Sequence, residues 1–298
     1  MPVPAAYLGV ILIWSTTPLG IQWSAQGATF AFAVMARMAI GLALCLVLLR
    51  ASRTVFPLTH AAKQLYLISG LSIFGAMLLT YWGALHIPSG LISVIFGLSP
   101  LVTGAFAALW LSERTLTPQR LLGLVVALVG LWAIFGQPWP GDGQARLGTV
   151  AVVAGMAIQA LGLVWIKRLN VRASSLAITT GSLSVATPLF VLAWLLADGA
   201  RLPEIAPRAG AAIVYLGVFG SVVGFTLYYY VIKHLDTGRV ALITLVTPVT
   251  ALLLGQTLNA ERIPLMGWIG IALIGAGLVL YEWQALRGLR PTPLRVDN

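Results

Sequence analysis

The amino-acid sequence predicts an all-α polytopic membrane protein, with ten transmembrane helices arranged as two inverted five-helix repeats. Three observations carry that expectation. The 298-residue chain is 59% hydrophobic and only 9% charged, with a mean hydropathy of +0.95, whereas a surface facing water needs roughly 25% charged residues. Ten apolar runs are bounded by charge or turn residues, each about the length that crosses a hydrocarbon layer roughly 30 Å thick. The second half of the chain also repeats the pattern of the first, 148 residues later.

In chain order the runs cover 4–22, 30–49, 64–86, 89–111, 119–136, 147–166, 174–197, 209–232, 238–258 and 264–283. Met-Pro-Val-Pro at the start lacks the basic stretch that precedes the apolar core of a cleavable signal peptide, so the first run is expected to stay as a span. The fifth run starts at Thr117-Pro118 and the tenth at Arg262-Ile263-Pro264. A proline in the first turn loses nothing, because that N–H has no intrahelical acceptor. The one cysteine, Cys45, lies within an apolar run. That excludes a disulfide framework and a cysteine metal site, and reads as a small buried hydrophobe.

The net charge of +10 comes from Lys and Arg placed singly or in pairs at the ends of runs. A nucleic-acid surface would need them clustered in a stripe, so no nucleic-acid partner is expected. The excess sets topology instead. Arg50, Arg53, Lys63, Arg114, Arg120, Lys167, Arg168, Arg172, Lys233, Arg239, Arg287, Arg290 and Arg295 share the face of the N-terminus, against Arg146, Arg201, Arg208 and Arg262 opposite. Both termini are therefore expected in the cytoplasm, in a multi-pass protein of the inner (plasma) membrane.

The 148-residue register places Tyr81 on Tyr229, His86 on His234, Gly90 on Gly238, Ile95 on Ile243, Pro100 on Pro248 and Glu113-Arg114 on Glu261-Arg262. After a one-residue slip, Gly123 meets Gly270 and Gly130 meets Gly277. The reading is a first repeat at 1–137, a linker at 138–146, a second repeat at 147–284 and a cytoplasmic tail at 285–298. Five spans is an odd number, so the second copy enters the membrane from the opposite side. Inverted repeats recur in transporters, where one half rocks against the other around a midplane site.

The stretches Phe74-Gly75, Tyr81-Trp82-Gly83-Ala84-Leu85, Pro100, Glu113-Arg114, Gly123 and Gly130, with Tyr228-Tyr229, Pro248, Glu261-Arg262, Gly270 and Gly277 in the second copy, resemble the EamA repeat of the drug/metabolite transporter superfamily. The resemblance covers essentially the whole chain, and is strongest to bacterial amino-acid exporters, including the aromatic amino-acid branch. It implies ten helices, the inner membrane and export of small metabolites. The second copy departs from the pattern with Ile263-Pro264 where the first has Thr115-Leu116.

Candidate site residues follow from the cost of polarity inside a membrane. Pro100 and Pro248 each lack the N–H that would bond the carbonyl four residues earlier, at Phe96 and Thr244; either they break helices beside a substrate path or they are packed kinks. Pro18 is a third candidate hinge. Arg37 is the one charge inside a span, able either to attract a substrate carboxylate or to hold helices together. Gln159 could bond substrate or bridge helices, and Ser93, Ser99, Thr244 and Thr247 flank the two prolines with the same alternatives. Trp14, beside Thr17, and Tyr81 read as cavity walls; Tyr228 joins them as a candidate, against an interfacial role. The glycine pairs read as packing.

All acidic residues fall in loops or at span ends, and the histidines have no partners at ligand spacing, so no metal and no cofactor is implied. A proton-coupled carrier ordinarily keeps a buried acid, so facilitated efflux is expected, with His86 and His234 the alternative proton sites. An enzyme would need a nucleophile or an acid and base pair at one depth, and none is present. The expected partners are the lipid bilayer and a small-molecule substrate, foremost a neutral or aromatic L-amino acid, with proton-coupled efflux of a purine, drug or quaternary ammonium compound as the alternative. The chain is expected to act as a monomer.

Overall fold

The computed structural model describes residues 2–110, 117–135, 142–169, 171, 173–199, 201–235 and 237–287. Glu113-Arg114 and most of the tail lie outside them. The described residues form twelve α-helices and one π-helical segment. They are α1 (Val3–Gly27), α2 (Phe30–Ala51), α3 (His60–Gly83), α4 (Ser89–Gly97), α5 (Ser99–Trp110), α6 (Pro118–Phe135), α7 (Asp142–Leu169), α8 (Ser175–Asp198), α9 (Pro207–Tyr215), the π-helix Leu216–Val223, α10 (Gly224–His234), α11 (Thr237–Asn259) and α12 (Leu265–Arg287). Among the described residues nine helical stretches are long and apolar enough to cross a membrane, counting Ser89–Trp110 and Pro207–Tyr228 as one each; Pro118–Ala133 is apolar but shorter.

Local chemistry sets the boundaries. Thr29, Thr59 and Ser174 cap α2, α3 and α8 by accepting the N–H three residues on, from Phe32, Ala62 and Ala177 at 3.3, 3.3 and 3.1 Å. Thr117 does the same for Arg120 at 3.3 Å, with Pro118 in the first turn of α6. Each satisfies an N–H that has no intrahelical acceptor. Gly199, with φ of 60°, ends α8 in the left-handed conformation that costs glycine nothing.

The prolines behave differently from one another. The fourth run is interrupted: α4 ends at Gly97, and the Leu98 N–H turns to Ile95 O at 3.0 Å before α5 starts, with Pro100 in its first turn. No such break occurs at Pro18 or Pro248, which α1 and α11 carry through their interiors. Continuous helix at Pro248 matches the packed-kink alternative, and Pro18, the third candidate hinge, also lies within an unbroken helix. The hydroxyls nearby bond other carbonyls of these helices than Trp14 O and Thr244 O, the two that the prolines leave without a backbone N–H. Thr16 donates to Leu12 O at 2.8 Å, Thr17 to Ile13 O at 2.7 Å, and Thr250 to Val246 O and Thr247 O at 3.0 and 3.1 Å.

The most extensive helix contacts are α6 with α12, α3 with α7, and α2 with α8. Between α6 and α12 the packing is backbone on backbone: a Cβ added at Gly277 would lie 2.5 Å from Gly123 O and 2.7 Å from Ala127 N. Small residues let helices approach this closely where lipid supplies no hydrophobic driving force. Large apolar side chains such as Leu12, Trp132 and Leu196 point outward, as a surface solvated by acyl chains requires.

Candidate functional site

Arg37 lies on α2 about two turns from its start, and is only 5% exposed. Its Nε donates to Ser221 Oγ at 3.2 Å and its Nη1 to Tyr81 Oη at 3.4 Å. Tyr81, from α3, is fully buried and Ser221 is 5% exposed. One cation therefore ties together α2, α3 and the π-helix. Both partners are neutral hydroxyls, and among the described residues Arg37 has no carboxylate partner. A guanidinium at membrane depth costs about 2.5–3.5 kcal/mol on insertion scales, and no carboxylate among the described residues offsets it.

The π-helix is what brings Ser221 to Arg37. Its wider turn lets Ser221 Oγ donate to Leu216 O, five residues back, at 3.1 Å, while the same oxygen accepts from Arg37. Gly220 completes the approach, since a Cβ there would sit 3.2 Å from Arg37 Nη2. π-Helical turns inside α-helices frequently mark functional positions. The sequence reading missed both the π-helix and Ser221; the crowded glycines at 217, 220 and 224 are the only signal that could have found them.

Of the residues singled out from sequence, the structure brings Arg37 and Tyr81 together and, separately, Trp14 and Tyr228, whose rings lie 4.6 Å apart where α1 packs on α10. Phe225 meets Trp14 edge-on at 6.5 Å. The Thr17 hydroxyl is used by its own helix. Ser93 is buried on α4, and Ser99 is the first residue of α5. Thr247 is buried on α11 and Thr244 half-buried. Pro248 packs against Gly97, where a Cβ would lie 3.2 Å from its Cγ, so the matching segments of the two repeats cross here. Gln159, on α7, is half-buried, and its Oε1 is buried with no hydrogen-bond partner. A hollow of about 20 Å³, room for about one water, lies between α2, α8 and α10, lined by Cys45, Ser175, Leu176, Thr179, Val222, Phe225 and Thr226.

Known proteins bear on this arrangement. The inner membrane transporter YedA of Escherichia coli is 24% identical over 289 residues, covering 94% of this chain and 90% of its own. A probable terminal-alkyne amino-acid exporter of Streptantibioticus cattleyicolor is 28% identical, covering 73% of this chain and 71% of its own. A crystal structure of a protein 20% identical superposes with a TM-score of 0.67, over 95% of this chain and 98% of that one, which establishes a common fold. The model of the EamA-like transporter family matches residues 4–136 and again 146–283. Nearly the whole chain is accounted for by that twice-matched unit, and the chain belongs to the EamA-like transporter family.

Proposed function

We propose that this transporter exports small metabolites carrying a carboxylate, foremost neutral and aromatic L-amino acids, by alternating access to Arg37. The supporting observation is the buried guanidinium held by Tyr81 and Ser221 without an opposing charge: an anionic group is the ligand whose arrival would stabilise it most. Trp14, Tyr228 and the surrounding aliphatic side chains suit an apolar substrate body. The name of the Streptantibioticus relative points to the same substrate class. The uncompensated charge also disfavours quaternary ammonium compounds, which it would repel.

In this reading the termini face the cytoplasm and the carrier is a facilitator, since no carboxylate shares the depth of Arg37 among the described residues. It is a carrier and not an enzyme. The test is growth of cells with and without the protein on a panel of toxic amino acids and amino-acid analogues, beside purines and quaternary ammonium compounds. Tolerance confined to carboxylate-bearing compounds supports the reading. Tolerance to the cations alone refutes it.

A further inference from the structure

Outside the Arg37 group, a dense polar cluster lies at the membrane face where α1 and α11 end and α4 begins. Glu261, just past α11, donates its N–H to Gly255 O at 3.2 Å and turns its carboxylate onto the first turn of α4. That carboxylate accepts from the Ser89 N–H at 3.0 Å, Ser89 Oγ at 2.7 Å, the Gly90 N–H at 3.3 Å and Asn259 Nδ2 at 3.0 Å. An acid at a helix N-terminus satisfies orphan N–H groups and meets the positive end of the helix dipole.

Asn259 extends the cluster to α1. Its Nδ2 also donates to Gln22 Oε1 at 2.8 Å, and its Oδ1 accepts from Trp23 Nε1 at 2.9 Å. Gln22 Nε2 in turn donates to Ile87 O at 3.0 Å. Arg208, from α9, lies 3.5 Å over the Trp23 ring. Gln22 and Ser89 are 5% and 1% exposed, so the cluster is sealed at its centre.

Two features separate this cluster from ordinary packing. The Glu261 bonds to Ser89 and Gly90, the Asn259 bonds to Gln22 and Trp23, and the Arg208 contact all run between the first repeat and the second, the interface that alternating access must part. The closure is also made of hydrogen bonds that water can replace, so each contributes far less net free energy than its gross strength, whereas an apolar plug would resist wetting. The 20 Å³ hollow beside Cys45 and Ser175, and the groove at Leu46, Leu49, Arg50, Arg53 and Thr54, lie toward the other face.

We propose that Glu261 and Asn259, acting on Ser89, Gly90, Gln22 and Trp23, are a reversible gate that holds this face shut while the opposite face opens. This rests on the alternating-access reading and adds the groups that control one side of it.

The test needs no substrate. In a Cys45→Ala background, a single cysteine replaces Ser93, one turn inward from Ser89 on α4, and its reaction with a membrane-impermeant maleimide is followed in whole cells and in inside-out vesicles. Glu261→Gln and Asn259→Leu are each expected to raise labelling at least tenfold, from the face bearing Asn259 alone, with the melting temperature held within a few degrees of the parent. Unchanged labelling in both folded variants overturns the proposal, as does an equal rise from both faces. Should Glu261→Gln fail to accumulate, Asn259→Leu, which leaves the α4 cap in place, decides alone. A labelling response without amino-acid flux would remove the substrate reading and keep the gate; flux without a labelling response would remove the gate and keep the substrate.

Discussion

Replacing Arg37 with leucine separates a substrate-binding role from a structural one. The substitution removes two hydrogen bonds from a charged donor, each contributing about 1.5–3 kcal/mol. It also removes a guanidinium whose placement at membrane depth costs about 2.5–3.5 kcal/mol. Ser221 keeps its bond to Leu216 O, so only the Tyr81 hydroxyl loses its partner. These effects cancel in part, and the variant is expected to be between roughly zero and 3.5 kcal/mol less stable than the parent, a drop of at most about 10 °C in melting temperature. Transport is another matter. Breaking a buried ion pair by removing one partner costs about 3–5 kcal/mol, so binding of a carboxylate substrate should weaken by at least about 100-fold. The assay pairs thermal unfolding in detergent with initial flux in proteoliposomes. Flux within threefold of the parent refutes the binding role, and a melting temperature that collapses together with flux assigns Arg37 to structure instead.

Further outcomes follow from the same geometry. Gly277→Ala should destabilise the α6–α12 contact by about 1–3 kcal/mol, because its new methyl meets the backbone of Gly123 and Ala127, whereas Gly275→Ala, with nothing within 4 Å, should be neutral or stabilising by up to about 1 kcal/mol; equal melting temperatures for the two would contradict the packing. Ser221→Ala leaves Arg37 Nε without its acceptor and should lower stability by about 1–3 kcal/mol, read by thermal unfolding, while Ser221→Thr, which retains the hydroxyl, should restore much of the loss. A pH gradient imposed without a substrate gradient should drive no accumulation in vesicles; uphill uptake would defeat the facilitator reading. Reporter fusions should place Lys63 and Lys167 on one face of the membrane and Arg201 on the other.

Much of the architecture is legible in the sequence because it is written locally. Apolar length reports a span, Thr117-Pro118 reports a helix start, and the seven-residue glycine pairs report a pairing where backbones touch. Arg37 is conspicuous because a charge in a 20-residue apolar run is costly whichever role it serves. Its partner Ser221 is not, because the two are 184 residues apart, and because π- and α-helices differ by a shift in hydrogen-bond register that leaves no periodicity. Pro18 and Pro248 show the converse: the missing N–H is visible in the sequence, but that α1 and α11 run on through it is not. Glu261 is visible as half of a repeated Glu-Arg pair, yet its task emerges only when α4 arrives beneath it, and nothing in the sequence singles out Gln22 or Asn259.

The measurement closest to the central claim is counterflow. Proteoliposomes loaded with excess unlabelled aromatic amino acid and diluted into a trace of the labelled compound should show transient uphill entry of label, present with the parent protein and lost with Arg37→Leu. Absence of counterflow for amino acids, purines, sugars and quaternary ammonium compounds alike would contradict the account of a carrier working around Arg37.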